Sequence, residues 1–371
     1  MGGVSALAAA YKGKRVFITG HTGFKGSWMS LWLAQMGAKV TGYALSPITD
    51  PAMFALCGIE GLVDHNIADI RDQTALTAAI QKAAPDIIFH LAAQPIVRLS
   101  YTQPLETLDV NVMGTAILLE AARTLTSPCA VVIVTSDKCY ANKEWVWGYR
   151  EGDPMGGSDP YSMSKGAAEL VVDSWRSSFF SHPDSKIRLA SARAGNVVGG
   201  GDWAEGRILT DCVAAFAKNE DVQLRNPLAT RPWQHVLEPL SGYLWLGAKL
   251  LSDDWRQFAQ GWNFGPSSES VCTVEKLVNL CTSVWGQGGW RLTDETDPPK
   301  EAMSLSLSIE KAQHQLKWRP AWTLEQCVEH TIAWYKDWHV GGKDLHALTL
   351  AQIAHYENDA RIRSVEWALP A

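Results

Sequence analysis

Apolar positions first cluster at Arg15-Val16-Phe17-Ile18-Thr19, a short β-branched run that predicts a buried strand. A glycine-punctuated turn, Gly20 to Gly26, leads into an apolar, helix-spaced stretch from Ser27 to Met36. Further strand-like runs follow at Lys39–Leu45, Asp86–Ala93, Ala130–Ser136 and Ile187–Ala192, and the third strand of the series is expected to end at Asp69-Ile70. Helical patterns at Thr74–Ala84 and Leu108–Leu125 lie between them. This alternation predicts an α/β fold: a doubly wound parallel sheet of Rossmann type with helices on both faces.

Past residue 193 the regularity falls. Gly199-Gly200-Gly201-Asp202-Trp203 reads as a tight loop, and Pro227, Pro232, Pro239, Pro266, Pro298 and Pro299 punctuate the chain beyond it. A smaller, loop-rich α/β unit is expected over the carboxyl edge of the sheet, with a helix near Leu324 to Trp338. The expected division is 1–193 with 230–265 for a dinucleotide half, and 194–229 with 266–371 for a substrate half.

Composition narrows the class. The 371 residues are 46% hydrophobic and 19% charged, as in a soluble enzyme, and the net charge of -6 argues against a general nucleic-acid or anionic-membrane surface. No run approaches the roughly 20 apolar residues that span a bilayer. Met1 to Ala10 is small and apolar without a basic segment, which suggests a short leader or ragged terminus rather than a signal peptide. The 7 cysteines are scattered, without a C-x-x-C pair, so reduced thiols in a cytoplasmic protein and no metal site are expected. The 17 tryptophans are read mainly as core or interface packing.

Candidate chemistry begins at Gly20, Gly23 and Gly26, whose spacing between a strand and a helix suits a pyrophosphate. The backbone must turn sharply and approach the phosphates without a Cβ in the way, and the helix amino end supplies free N–H groups. Thr22 and Phe24 lie in the same loop. Asp69, beside Ile70, either accepts from an adenine amino group or is an exposed loop acid. Leu91, Ala92 and Ala93 offer a low wall past which a ribose and nicotinamide can lie. The second strand ends Tyr43-Ala44-Leu45-Ser46, with neither the acid of an NAD site nor an arginine for NADP, so the residues leave that choice open.

Ser158-Asp159-Pro160 is a helix start, which puts Tyr161 and Lys165 on one face of its first turns. An ammonium there is expected to lower the pKa of the phenol and make it a base, with the Ser136 hydroxyl bridging it to a substrate alcohol. Asp137-Lys138 alongside suggests that oxidation is not the whole reaction; an ion pair without catalytic duty is the plainer alternative.

These segments resemble the extended short-chain dehydrogenase/reductase family, and within it the 4,6-dehydratases of nucleotide sugars, most closely those acting on CDP-glucose. The likeness runs over roughly residues 12–340, through Gly20-His21-Thr22-Gly23-Phe24-Lys25-Gly26, Thr135-Ser136-Asp137-Lys138-Cys139-Tyr140, Trp145-Val146-Trp147-Gly148-Tyr149 and Arg231-Pro232-Trp233-Gln234-His235. The resemblance implies NAD as cofactor, CDP-glucose as substrate, and Tyr161, Lys165, Ser136, Asp137 (acid) and Lys138 (base) as the catalytic set. A lysine acts as a base only when neutral; the charge of Lys165 favours that and the carboxylate of Asp137 opposes it. Gln94, Asn111, Arg193, Asn196, Arg207 and Arg231 become substrate candidates, the arginines because a guanidinium forks onto a diphosphate. Surface ion pairs, and for Asn111 a buried helical hydrogen bond, are the simpler alternatives. The family's usual His-Glu-Ala stands here as Lys300-Glu301-Ala302, and the loop at Gly206-Arg207 also departs from its pattern. A homo-oligomer, dimer or tetramer, through the Leu108–Leu125 and Tyr161–Trp175 helices is implied. A sugar-nucleotide epimerase or reductase, or an NAD sensor, remain the competing readings.

Overall fold

The apolar runs become strands close to where their composition predicts: β1 at Arg15–Thr19, β2 at Lys39–Ala44, β3 at Asp64–Ile67, β4 at Ile87–His90, β5 at Cys129–Val134 and β6 at Ile187–Ala194. The structure is a computed structural model and describes residues 3–204, 206–293 and 304–371. Among these residues a further strand, Gly261–Phe264, completes a 7-stranded parallel sheet, ordered from that strand through β6, β5, β4, β1 and β2 to β3. The direction of winding reverses between β1 and β4, and there a crevice opens at the carboxyl ends of the strands. Every residue of β4 and β5 is buried, which is why both read as continuous apolar runs without alternation.

Two expected boundaries move for local reasons. β4 stops at His90 because the next residues must pass the glycine turn: a Cβ on Gly20 would meet the Ala92 nitrogen at 2.7 Å. The expected Leu108–Leu125 helix is three pieces, a helix at Pro104–Leu108, a π turn at Asp109–Met113 and a helix at Gly114–Arg123. Such π turns gather at functional sites, and this one directs Asn111 inward. Gly114 follows it where a Cβ would meet the Ile70 Cδ1 at 2.5 Å.

The amino-terminal segment departs from expectation. Ala6–Tyr11 is a helix (α1) capped by Ser5, with Leu7 and Tyr11 fully buried. The Tyr11 hydroxyl donates to the Leu244 carbonyl at 2.7 Å and the Ala6 N–H to the Leu369 carbonyl at 2.8 Å. This stretch is thus part of the core, pinned between the Leu237–Leu251 helix and the chain's far end. The Leu345–Ile362 helix packs on the second helix, α2, at Phe24–Gln35. There the Trp32 indole donates to Glu357 at 2.7 Å and lies edge-on to Tyr356 and Trp367. Trp28, Trp32, Trp262, Trp318, Trp334 and Trp367 are fully buried, so much of the tryptophan excess is core.

Leu7→Ala should therefore lower unfolding free energy by about 2–4 kcal/mol, as expected for a buried leucine, measured by urea denaturation. An unchanged midpoint would mean that α1 is peripheral.

Candidate active site

The crevice is a cavity of about 340 Å³ whose floor is the glycine loop. Gly20 has φ 77°, in the left-handed region, and a Cβ on Gly26 would lie 2.1 Å from the Gly20 carbonyl oxygen. The loop thus closes on itself only with glycine at these places, and α2 starts at Gly23 with its free N–H groups at the cavity. Thr22 fastens the loop by donating to the Leu45 carbonyl at 2.8 Å, and Phe24 lines the cavity beside it. A tight glycine cradle with unpartnered backbone donors fits a dinucleotide's pyrophosphate. Leu91, Ala92, Ala93, Asp69 and Ile70 line the same cavity. The Asp69 carboxylate is already engaged: Arg71 donates to it from Nη2 at 2.6 Å and from its backbone N–H at 2.9 Å, and holds it below the ordinary carboxyl range.

The facing wall comes from the end of β5. Past Val134 the chain leaves the sheet and turns into a 3-10 helix at Asp137–Cys139, capped by Ser136, whose Oγ accepts the Lys138 N–H at 3.3 Å. The turn resolves a problem of alternation, since adjacent strand residues face opposite ways. Here Ser136, Asp137 and Lys138 all line the cavity. Asp137 is fully buried; its Oδ1 accepts from Ser136 Oγ at 2.9 Å and lies 3.5 Å from Lys138 Nζ, while Oδ2 has no partner.

Tyr161 and Lys165 enter from the Pro160–Trp175 helix, started by Asp159 accepting the Ser162 N–H at 2.9 Å. Both are buried and both line the cavity. Their electrostatics correct the sequence expectation. Burial pushes the Tyr161 phenol up, more than the charges of Lys138 and Arg207 and the Ser136 hydrogen bond pull it down. Lys165 Nζ stands 6.0 Å from the Tyr161 ring centre. Burial pushes its own ammonium down to about 8, against the opposing pull of Cys139 and Glu169. The desolvation that the sequence does not reveal outweighs the pairing that it does.

Three substrate candidates do not reach the cavity walls as expected. The Gln94 side chain is used locally, donating to Thr107 Oγ1 at 2.8 Å and accepting the Ile96 N–H at 2.5 Å. Asn111 clamps the Gln94 backbone, accepting its N–H at 2.8 Å, and donates to Ser164 Oγ at 2.8 Å, tying the loop after β4 to the Tyr161 helix. Arg193 is buried against Glu169 at 2.7 Å and donates to the Tyr140 hydroxyl at 2.6 Å. In each case short polar contacts within the protein consume the group that was expected to meet substrate. Asn196 and Arg207 do line the cavity, and also a second one of about 180 Å³ that Arg231, Gln223 and Arg225 share. Lys300-Glu301-Ala302 lies outside the described residues.

The sequence reading missed Lys25 and Asp202, which line the main cavity as well. Lys25 lies in the glycine loop with its Nζ 6.0 Å from the Tyr243 ring centre, and burial, then the charges of Arg207 and Lys165, push its ammonium down to about 8. A lysine inside a loop of glycines was the available signal.

The family model described as GDP-mannose 4,6 dehydratase matches residues 17–331. A CDP-glucose 4,6-dehydratase of Salmonella typhimurium is 49% identical over 349 residues, covering 93% of this chain and 97% of that protein. A dTDP-glucose 4,6-dehydratase of Xanthomonas campestris pv. campestris is 24% identical, covering 86% of this chain and 92% of the relative. Among solved structures, the fold is similar to a dTDP-glucose 4,6-dehydratase double mutant from Streptomyces venezuelae with NAD bound (TM-score 0.72, 20% identity, 87% of this chain and 97% of that one). It is similar too to a UDP-glucose 4-epimerase of Thermotoga maritima with UDP-glucose (TM-score 0.73, 20% identity, 86% and 98%).

Lys165 gives a test with a defined sign. Its folded value, about 8, lies below the ordinary lysine value of 10.5, so the folded state holds fewer protons than the unfolded one between those limits. Its burial therefore costs stability fully below about pH 8, and the cost fades as pH rises through that window. Lys165→Met should raise the melting temperature near neutrality, with the gain shrinking toward pH 10.5, in thermal scans across pH. A loss of stability at neutral pH would show the ammonium to be structurally paired.

Proposed function

The chain belongs to the GDP-mannose 4,6 dehydratase family, and from that membership we propose that it dehydrates CDP-glucose to CDP-4-keto-6-deoxyglucose and water with NAD as a resident cofactor. One observation carries the reading: Ser136, Asp137, Lys138, Tyr161 and Lys165 line a single cavity with the glycine cradle, and that cavity adjoins one lined by Arg207 and Arg231. Gly20, Thr22, Gly23, Phe24 and Gly26 would hold NAD, which would supply the hydride acceptor for carbon 4 of the hexose and the donor for carbon 6.

The protein's residues handle the protons. Tyr161 reacts as the phenolate, the form that the ammonium of Lys165 favours, and takes the proton of the 4-hydroxyl through Ser136 to become the neutral phenol. The 4-ketone makes the hydrogen on carbon 5 acidic. Lys138 removes it, while Asp137 delivers a proton to the departing 6-hydroxyl, which leaves as water. The Ser136 hydroxyl, bonded to Asp137 Oδ1 at 2.9 Å and hydrogen-bonded to Tyr161, relays the proton gained by the phenol back to Asp137 and resets both groups. Lys138 then returns a proton to carbon 5 as carbon 6 is reduced, so nothing is consumed but the sugar.

NAD is favoured over NADP by the charges at the β2 end of the cavity. Ala44, Leu45 and Ser46 line it there. Among the described residues, the lining cations are Lys25, Lys138, Lys165 and Arg207; Lys25, Lys138 and Arg207 bear electrostatically on Asp137 or Tyr161, and Lys165 Nζ stands 6.0 Å from the Tyr161 ring centre, so all four lie at the catalytic end. A 2′-phosphate would lack a guanidinium to receive it. The cytoplasm suits 7 cysteines that are all free and buried. A homodimer is supported by Leu99, Tyr101, Leu105, Met113 and Leu170, apolar side chains exposed on and beside the Tyr161 helix and better covered by a second copy.

The test is incubation of the purified protein with NAD and CDP-glucose, reading loss of water by mass spectrometry. Tyr161→Phe is expected to lower kcat by about 10²–10⁴, the usual worth of a positioned acid–base group. Lys138→Met should stop product formation and also stop uptake of solvent deuterium at carbon 5. Product from dTDP- or GDP-glucose alone would overturn the cytidine assignment. A 4-epimer in place of a dehydrated sugar would overturn the reaction.

A further inference from the structure

The two cavities meet at four residues, Asn196, Val197, Asp202 and Arg207, which line both. On the function proposed above, a substrate with its nucleotide in the smaller cavity and its hexose in the larger must pass this junction. Arg207 and the Asn196 amide suit a diphosphate. A carboxylate does not, because it repels the phosphates. Asp202 is nonetheless held there firmly.

The hold is on its backbone. The Asp202 N–H donates to the Tyr335 hydroxyl at 3.0 Å, and its carbonyl accepts from Tyr335 and from Thr210 Oγ1, each at 2.6 Å. Trp203 anchors the next position against Trp334, Tyr335 and Trp338, with ring centres 5.7, 5.7 and 5.3 Å away. The preceding glycines let this strap lie flat, since a Cβ on Gly200 would meet the Trp334 ring at 2.2 Å. The carboxylate is less well satisfied. Oδ1 accepts the Ala204 N–H at 3.2 Å, and Oδ2 lies 3.8 Å from Arg207 Nε, beyond hydrogen-bond reach, with only 13% of the side chain exposed. Burial pushes this carboxyl up, with Arg207 and the Ala204 N–H pulling the other way. In the same junction the Asn196 Oδ1 is buried without a partner.

A rigidly presented acceptor that is short of donors, set where a sugar enters, calls for hydroxyls. We propose that Asp202 is a specificity-determining residue, accepting a hydrogen bond from a hexose hydroxyl that the reaction leaves intact. The 4-hydroxyl is oxidised and the 6-hydroxyl departs, so the donor is the 2- or 3-hydroxyl. Arg207 turns to the diphosphate, which frees Oδ2 for the sugar. Asp202 thereby offsets its repulsion of the phosphates with a charge-assisted bond to the same ligand.

The proposal rests on the nucleotide-sugar reading, and the experiment separates the two. Wild-type turnover of CDP-glucose is measured first; its absence would reject the parent reading. Then kcat/KM is compared for wild type, Asp202→Ala and Asp202→Asn on CDP-glucose and on its 2-deoxy and 3-deoxy analogues. Asp202→Ala is expected to lose about ten- to hundredfold on CDP-glucose, the range for a charged hydrogen bond to a substrate hydroxyl. That loss should nearly vanish on the one analogue that lacks the recognised hydroxyl. Asp202→Asn keeps the size and one acceptor oxygen, so it should lose less, in the same pattern, and it carries the comparison should the alanine variant fold poorly. Equal losses on all three substrates would overturn the proposal.

Discussion

Glu169 is the interaction on which the catalytic geometry depends. It lies four residues beyond Lys165, on the same face of the helix, and is fully buried. Its carboxylate accepts from Thr135 Oγ1 at 2.5 Å, Ser191 Oγ at 2.7 Å and Arg193 Nη2 at 2.7 Å. Burial alone would push this carboxyl up, yet the charge of Arg193 and these hydrogen bonds bring it below its usual value. Thr135 adjoins Ser136, and Ser191 and Arg193 belong to β6, so one charge fastens the helix to the ends of two strands. Removing one partner of such a buried pair strands the other, at about 3–5 kcal/mol. Arg193 extends the fastening through the Tyr140 hydroxyl to Asn263 on the outermost strand of the sheet.

This rigid frame explains how the cavity can hold charges at values that water would not allow. Tyr161 is pushed up and Lys165 and Lys25 down, each with burial as the largest cause. Such groups are costly to fold and useful to chemistry, because a ligand's charge acts strongly on them in a dry cleft. The Asp137 Oδ2 without a partner belongs to the same pattern.

Much of the parallel sheet was legible from local apolar runs, because buried strands carry their own composition. The glycine loop was legible because strand, turn and helix follow one another within the chain. The 3-10 turn that swings Asp137 and Lys138 to one side was not, since it is set by Ser136 capping Lys138 and not by any periodicity. Arginine chemistry misled at Arg193: type and neighbourhood suited a diphosphate, but its partner Glu169 is 24 positions away and joins it only in the fold. Gln94 and Asn111 failed for the same reason, the Asn111 amide being used on the Gln94 backbone and the Gln94 amide on Thr107 and Ile96. The helix at the amino terminus was hidden because its partners, Leu244 and Leu369, lie more than two hundred positions further along the chain.

The strap bearing Asp202 has a bearing on ancestry. Its anchor, Trp203, rests on aromatic rings of Leu324–Val340, a helix that follows it by more than a hundred positions. On the role proposed for Asp202, drift in that helix would alter the placement of the acceptor while the tyrosine, the lysines and the glycine cradle stayed as they are. On that role, a change of sugar preference would then need no change among the reacting residues.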